Sequence, residues 1–258
     1  MIDKLFMIRN GSLGTDFEAK VLLTSVGILL CLYDWFDRKR KDYFWVFIVS
    51  AVIGFLAEWC IQAMGNRVMP VNYLWGQAIP VWESALLRAT CEGSAFIVAC
   101  LFFGDRILEK KARKRWVVYL FLMAGLIISA SLIQPFSHKN IAGAVASRRE
   151  ITSGAVVFVL LTIMFFDSIW YRKSSQKVRL RAAAFLWVLT FLTVCWTVAE
   201  YAANKRWIEI GTAAGLQHAP RIVEFMTFVW DVLPETVLIY LPFLALPYIF
   251  GLIKEDIA

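Results

Sequence analysis

Seven stretches of the chain are almost wholly apolar over about 20 residues, at 17–36, 43–64, 85–104, 116–133, 151–171, 182–203 and 228–250. A helix rises about 1.5 Å per residue, so each stretch is long enough to cross the ~30 Å hydrocarbon core of a bilayer. Only isolated polar residues interrupt them, and the connections carry the turn formers and charges. The pattern predicts an all-α polytopic membrane protein with seven transmembrane helices forming one domain over residues 1–258. No apolar run precedes the first stretch, and the pattern gives no expectation of a cleaved leader.

Composition and charge sharpen the picture. Apolar residues make up 60% of the chain and charged ones only 18%, with a mean hydropathy of +0.63, which excludes an ordinary soluble core. The net charge is +7, and the basic runs fall at 38–41, 106–115 and 172–181, after the first, third and fifth stretches. Positive loops stay cytosolic, so the rule predicts an extracytosolic N terminus and a cytosolic C terminus, in a bacterial inner membrane or endoplasmic reticulum. Each basic run abuts a span, which argues against nucleic acid as a partner. The five cysteines form no CxxC and all fall within spans, where they read as small apolar packers. Two histidines in separate loops offer no metal site, and no cofactor motif is present.

The candidate chemistry lies in acids placed inside the spans. Phe228 to Tyr240 reads FVWDVLPETVLIY, with Asp231 and Glu235 one turn apart around Pro234. Pro234 cannot donate a backbone hydrogen bond, which frees a carbonyl beside two carboxyls. Glu58 lies late in span two, Glu92 early in span three beside Arg88 at i, i+4, and Glu200 late in span six. Alternating span direction puts Glu58, Glu92, Glu200, Asp231 and Glu235 in the outer half of the bilayer, where they are expected to line one cavity. Such residues are expensive in lipid and mark pathways or chemistry. The connection 65–83 is rich in Trp and Pro and reads as a loop over the outer mouth, with Arg67 and Glu83 forming a solvated pair at its rim.

An internal duplication accompanies the acids. Ala57-Glu58-Trp59 recurs as Ala199-Glu200-Tyr201 at an offset of 142, and Glu92 and Glu235 are offset by 143. The spans then form a 3+1+3 parallel repeat, with halves at about 17–104 and 151–250 and a linker helix at 116–133.

A carboxyl in low dielectric holds its proton and serves as a general acid. Aromatic faces stabilise cations, and Trp59, Trp75, Tyr201 and Trp230, with Asn72, are the candidate substrate-binding residues. FLAEW at 55–59 and WDVLPETVLIY at 230–240, with the seven-span layout, resemble the integral-membrane terpene cyclases of fungal meroterpenoid and indole-diterpene pathways and their bacterial relatives. The resemblance implies a non-redox cyclase that protonates a polyprenyl olefin or epoxide, with Glu58 and Asp231 as its acids. Its partners would be a prenylated lipid-like substrate and the membrane lipids. The repeat also looks like that of the integral-membrane lycopene cyclases, but here Pro80-Val81-Trp82-Glu83 and Pro234-Glu235-Thr236 stand where that family pairs glutamates after proline. The rival reading is a proton-coupled small-solute transporter on the same repeat plan. A retinal protein is disfavoured because span seven lacks a lysine.

Overall fold

The computed structural model describes residues 4–9, 17–68, 72–132, 147–212 and 215–254, apart from the side chains of Glu235, Val237 and Leu238. Seven helices long and apolar enough to cross a membrane account for most of it: α1 (Phe17–Arg38), α2 (Asp42–Ala63), α3 (Val81–Leu108), α4 (Arg113–Leu132), α5 (Gly154–Lys173), α6 (Gln176–Ala202) and α7 (Arg221–Ile249). The protein is a multi-pass membrane protein of the all-α class. Large apolar side chains such as Leu29, Val52, Phe121, Phe158 and Phe166 stand on the outside of the bundle, as lipid-facing surfaces require.

The seven strands among the described residues were not expected. They are β1 (Lys4–Arg9), β2 (Arg67–Val68), β3 (Asn72–Leu74), β4 (Gln77–Ile79), β5 (Ser147–Glu150), β6 (Arg206–Thr212) and β7 (Gly215–His218). Five form one antiparallel sheet in the order β2-β5-β1-β6-β7, and β3 and β4 make a hairpin. The sheet draws strands from the segment before α1 and from the connections α2–α3, α4–α5 and α6–α7. All four therefore lie at one end of the bundle, and alternation of seven crossings puts the basic connections at the other. The predicted loop over the mouth is thus partly ordered sheet. Met7, Ile151, Ile208 and Ala219 form a small apolar core that seats the sheet on the helices, with Trp230 packed against it.

α3 is the most enclosed span, and Ile97, Val98, Leu101, Leu189, Leu192 and Leu244 share the main core around it. Close approach depends on small residues. A Cβ at Gly27 of α1 would stand 2.5 Å from Ala95 Cβ of α3, and one at Gly104 would stand 3.0 Å from Phe185 N of α6.

α3 and α7 each widen into π-helical geometry, at Ala89–Ala95 and Asp231–Leu238. In each, a hydroxyl reaches the carbonyl five residues back: Ser94 Oγ to Ala89 O (3.3 Å) and Thr236 Oγ1 to Asp231 O (2.7 Å). These two motifs are offset by 142 residues, the offset at which the sequence repeats. π segments are rare and collect at functional sites because they turn side chains out of helical register. Here they carry Glu92, Asp231 and Glu235.

The end opposite the sheet is clamped by a buried ionic network. Arg181 of α6 grips Asp105 of α3 through Nε (2.8 Å) and Nη2 (2.7 Å), and its Nη1 donates to Asp42 of α2 (3.1 Å) and Tyr248 of α7 (2.8 Å). Tyr43 Oη also donates to Asp105 (2.9 Å). Beside it, Arg106 binds Asp37 (2.7 Å) and Arg38 binds Glu109.

Candidate functional site

The register of the sheet decides the environment of the acids. Residues opposite one another in an antiparallel sheet share a face. Arg9 pairs with Arg206, Met7 with Arg149 and with Ile208, and Arg149 with Arg67. One face consequently carries Arg9, Arg67, Arg149 and Arg206, from four different strands, together with the apolar residues that seat the sheet. The arginines reach into the helix ends and meet the acids predicted from sequence.

Each of the four candidate acids whose side chains are described has a cation nearby. Glu58 accepts from Arg67 Nη1 (2.6 Å) and from Gln62 Nε2 (2.7 Å). Asp231 accepts from Arg149 Nη2 (3.1 Å) and Arg206 Nη1 (2.9 Å). Glu200 lies 3.3 Å from Arg206 Nε, with the Trp196 indole N–H directed at it but outside normal hydrogen-bond geometry. Glu92 accepts from the fully buried Lys20 Nζ (2.5 Å), and Arg88 Nη1 stands 3.6 Å away. The expected Arg88–Glu92 pair is therefore present, with Lys20 added. Phe17 presents its ring to both cations, at 5.5 Å from Lys20 and 5.6 Å from Arg88.

Arg9 sits between these pairs, within electrostatic reach of Glu200, Asp231 and Glu92. Burial alone would lower the affinity of its guanidinium for its proton, but the three carboxylates outweigh it and raise that affinity above the ordinary value. Its Nε has no hydrogen-bond partner among the described residues, and its guanidinium lies 5.8 Å from the centre of the Trp196 ring.

A chamber of about 420 Å³ lies beside this cluster, between α1, α3 and α4 with Trp196 of α6 at its back. That volume is within the roughly 300–1,000 Å³ of small-molecule sites. Its walls are Leu23, Val26, Gly27, Ala95, Phe96, Ala99, Met123, Leu126 and Ile127, and Lys20, Glu92 and Ser131 stand at its sheet-side end. Leu23, Val26 and Leu126 are also exposed on the outer surface, Leu126 by 72%, so the chamber opens sideways between α1 and α4 toward lipid. Phe96 and Trp196 meet edge to face at 6.2 Å and supply its aromatic wall.

The five acids were expected to line one cavity. Among the described residues only Glu92 lines the chamber; Glu58, Glu200 and Asp231 belong to the ionic cluster at its end, and the Glu235 side chain lies outside the described residues. Arg67 was expected to pair with Glu83, and instead meets Glu58, because strand β2 turns it inward. The expected aromatic wall is also redistributed. Trp59 and Trp75 are 43% and 69% exposed, Tyr201 packs edge to face on Phe228 at 5.9 Å, and Trp230 supports the sheet. Asn72 is buried in the β3–β4 hairpin. Pro70 and the histidine and lysine at 138–139 lie outside the described residues.

The residues that sequence reasoning passed over are Arg9, Lys20, Arg149, Arg206 and Trp196. The short apolar run Leu5-Phe6-Met7-Ile8 before Arg9, and Ile208-Glu209-Ile210 after Arg206, were the available signals for the strands. No group of three or more His, Cys, Asp or Glu suited to a metal ion occurs among the described residues. Comparison with protein-family models, curated proteins and solved structures returned no match.

Proposed function

We propose that the protein is a membrane-embedded terpene cyclase that admits a prenylated, lipid-like substrate sideways from the bilayer and protonates it in the chamber between α1, α3 and α4. The observation that carries this reading is the chamber itself: apolar walls, an opening to lipid, two aromatic faces and a single described carboxyl, Glu92, at its polar end.

On this reading Glu92 takes up a proton with the substrate in place and delivers it to a carbon–carbon double bond or an epoxide oxygen. The π electrons, or the oxygen lone pair, form the new bond to hydrogen and leave a cationic carbon. The next double bond attacks that carbon, and the final cation returns a proton to the carboxylate. Nothing is oxidised or reduced. Phe96 and Trp196 present π faces to the migrating positive charge. Glu92, the one described acid that lines the chamber, thereby takes the place that resemblance had given to Glu58 and Asp231, which lie outside it in the ionic cluster.

The sideways opening also favours this reading over a solute transporter, whose pathway would open to water at one end or the other. The sheet covers one end of the bundle and the Arg181 network closes the other. The excess of basic residues at the Arg181 end supports a cytosolic position for that end, with the sheet outside.

The test is mass spectrometry of lipid extracts from cells expressing the protein with candidate prenylated precursors. A product of unchanged mass and fewer double bonds is expected, and Glu92→Gln should abolish it while purifying normally. Leu126→Trp, which fills the mouth, should reduce it. Full product formation by Glu92→Gln would overturn the assignment of the acid, and uptake of a soluble solute without any altered lipid would overturn the cyclase reading.

A further inference from the structure

Cations gather at the sheet-side end of the chamber. Lys20 lines it, and Arg9, Arg67, Arg88, Arg149 and Arg206 stand in the ionic cluster beside it with the carboxylates of Glu58, Glu92, Glu200 and Asp231. Three of the carboxylates have their cations at 2.5–3.1 Å, whereas Arg9 meets no carboxylate at ion-pair distance among the described residues. It leans instead over Trp196, the residue that forms the back of the chamber. Ser131 adds a buried hydroxyl at the same end, without a hydrogen-bond partner among the described residues.

We infer that the molecule entering this chamber carries an anionic group, a phosphate or diphosphate at the head of an apolar chain, which Arg9 and Lys20 hold at the sheet-side end. The inference rests on the preceding reading only in that a lipid enters from the bilayer. The dimensions agree: from Lys20 to Gly27 along α1 the chamber runs seven residues, about 10 Å at 1.5 Å per residue, so a chain pointing to mid-membrane places its head beside Lys20. A guanidinium offers a planar fork of donors that matches phosphate oxygens, and a lysine adds a point charge. The arrangement also gives Glu92 a reason to change state. An incoming anion competes with Glu92 for Lys20 and leaves it only the longer 3.6 Å contact with Arg88, and a buried carboxylate whose nearest cation is drawn away binds a proton more readily. Substrate binding would then load the acid that the proposed cyclisation uses.

The test is direct binding by the full-length protein in lipid nanodiscs, measured calorimetrically with farnesyl phosphate, farnesol and inorganic phosphate. Farnesyl phosphate should bind about 10- to 100-fold more tightly than farnesol, the scale of one or two charge-assisted hydrogen bonds. Inorganic phosphate at equal concentration should not displace it, which separates a lipid headgroup from a free anion. Arg9→Gln should erase the preference while leaving farnesol binding unchanged, Arg9→Lys should keep part of it, and Leu126→Trp should weaken both chains. Equal affinity of the unmodified protein for farnesyl phosphate and farnesol would overturn the inference, as would an Arg9→Gln protein that keeps the preference; the first readout does not depend on any variant folding. Displacement by inorganic phosphate alone would overturn the lipid source. Arg9-dependent binding without product from any precursor would leave the inference standing and remove the cyclase reading.

Discussion

Arg206 offers the sharpest test of whether the acids act as ion-paired groups. It is 3% exposed and comes from β6, yet it serves two spans: Nη1 donates to Asp231 of α7 and to Thr197 of α6 (3.0 Å), and Nε lies 3.3 Å from Glu200. Arg206→Met keeps most of the volume and removes the charge. Asp231 retains Arg149 at 3.1 Å, so its loss is partial. Glu200 has no other cation at ion-pair distance among the described residues and keeps only the more distant Arg9. Removing one partner of a buried pair costs about 3–5 kcal/mol, most of it the exposure of the remaining charge to low dielectric. The remaining charge is removable, since Glu200→Gln keeps the shape. The double variant Arg206→Met with Glu200→Gln should therefore recover about 1.5–3 kcal/mol, the worth of a hydrogen bond to a charged group. Unfolding in mixed micelles with increasing dodecyl sulfate, followed by circular dichroism, gives the four corners of the cycle. Strict additivity, or an Arg206→Met protein within about 1 kcal/mol of the original, would refute the arrangement of sheet over acids.

Three further outcomes follow from the same geometry. Single cysteines at Lys4 and Trp75, in a cysteine-free background, should react with an impermeant thiol reagent from one side of the membrane. Those at Lys41, Lys111 and Lys177, all exposed at the other end, should react only from the opposite side; Lys4 and Lys111 on one side would remove the seven-crossing arrangement. Gly27→Leu drives a side chain into Ala95 of the neighbouring helix, so melting should show a loss of about 1–3 kcal/mol and product yield should fall with the narrowed chamber. Arg181→Lys keeps the charge but loses the two-pronged grip on Asp105, so it should melt lower than the unmodified protein, by less than Arg181→Met does. Equal melting of all three would mean that the clamp contributes nothing.

What the sequence determined by itself is the membrane architecture. Hydrophobic transfer is additive and local, so a window of about 20 residues settles whether a segment prefers lipid, without reference to any other segment. That is why the seven spans were legible to within about seven residues at either end, and why Glu58, Glu92, Glu200 and Asp231 could be placed at one depth near one end. It also marked Arg88 with Glu92, because i, i+4 contacts belong to one helix. The partners of the other acids were not legible. Arg9, Arg149 and Arg206 reach them through a sheet assembled from four connections, in which Met7 pairs with Arg149 142 residues away and with Ile208 201 residues away. A one-residue slip in any of those strands would turn its arginine away from the helices, and no local pattern fixes a register between segments so far apart. The π segment of α3 is likewise a matter of packing: it lies against α1 and α2 and puts Glu92 against Lys20 and the chamber. Lipid preference is written residue by residue, whereas the pairing of buried charges exists only once the distant strands have met.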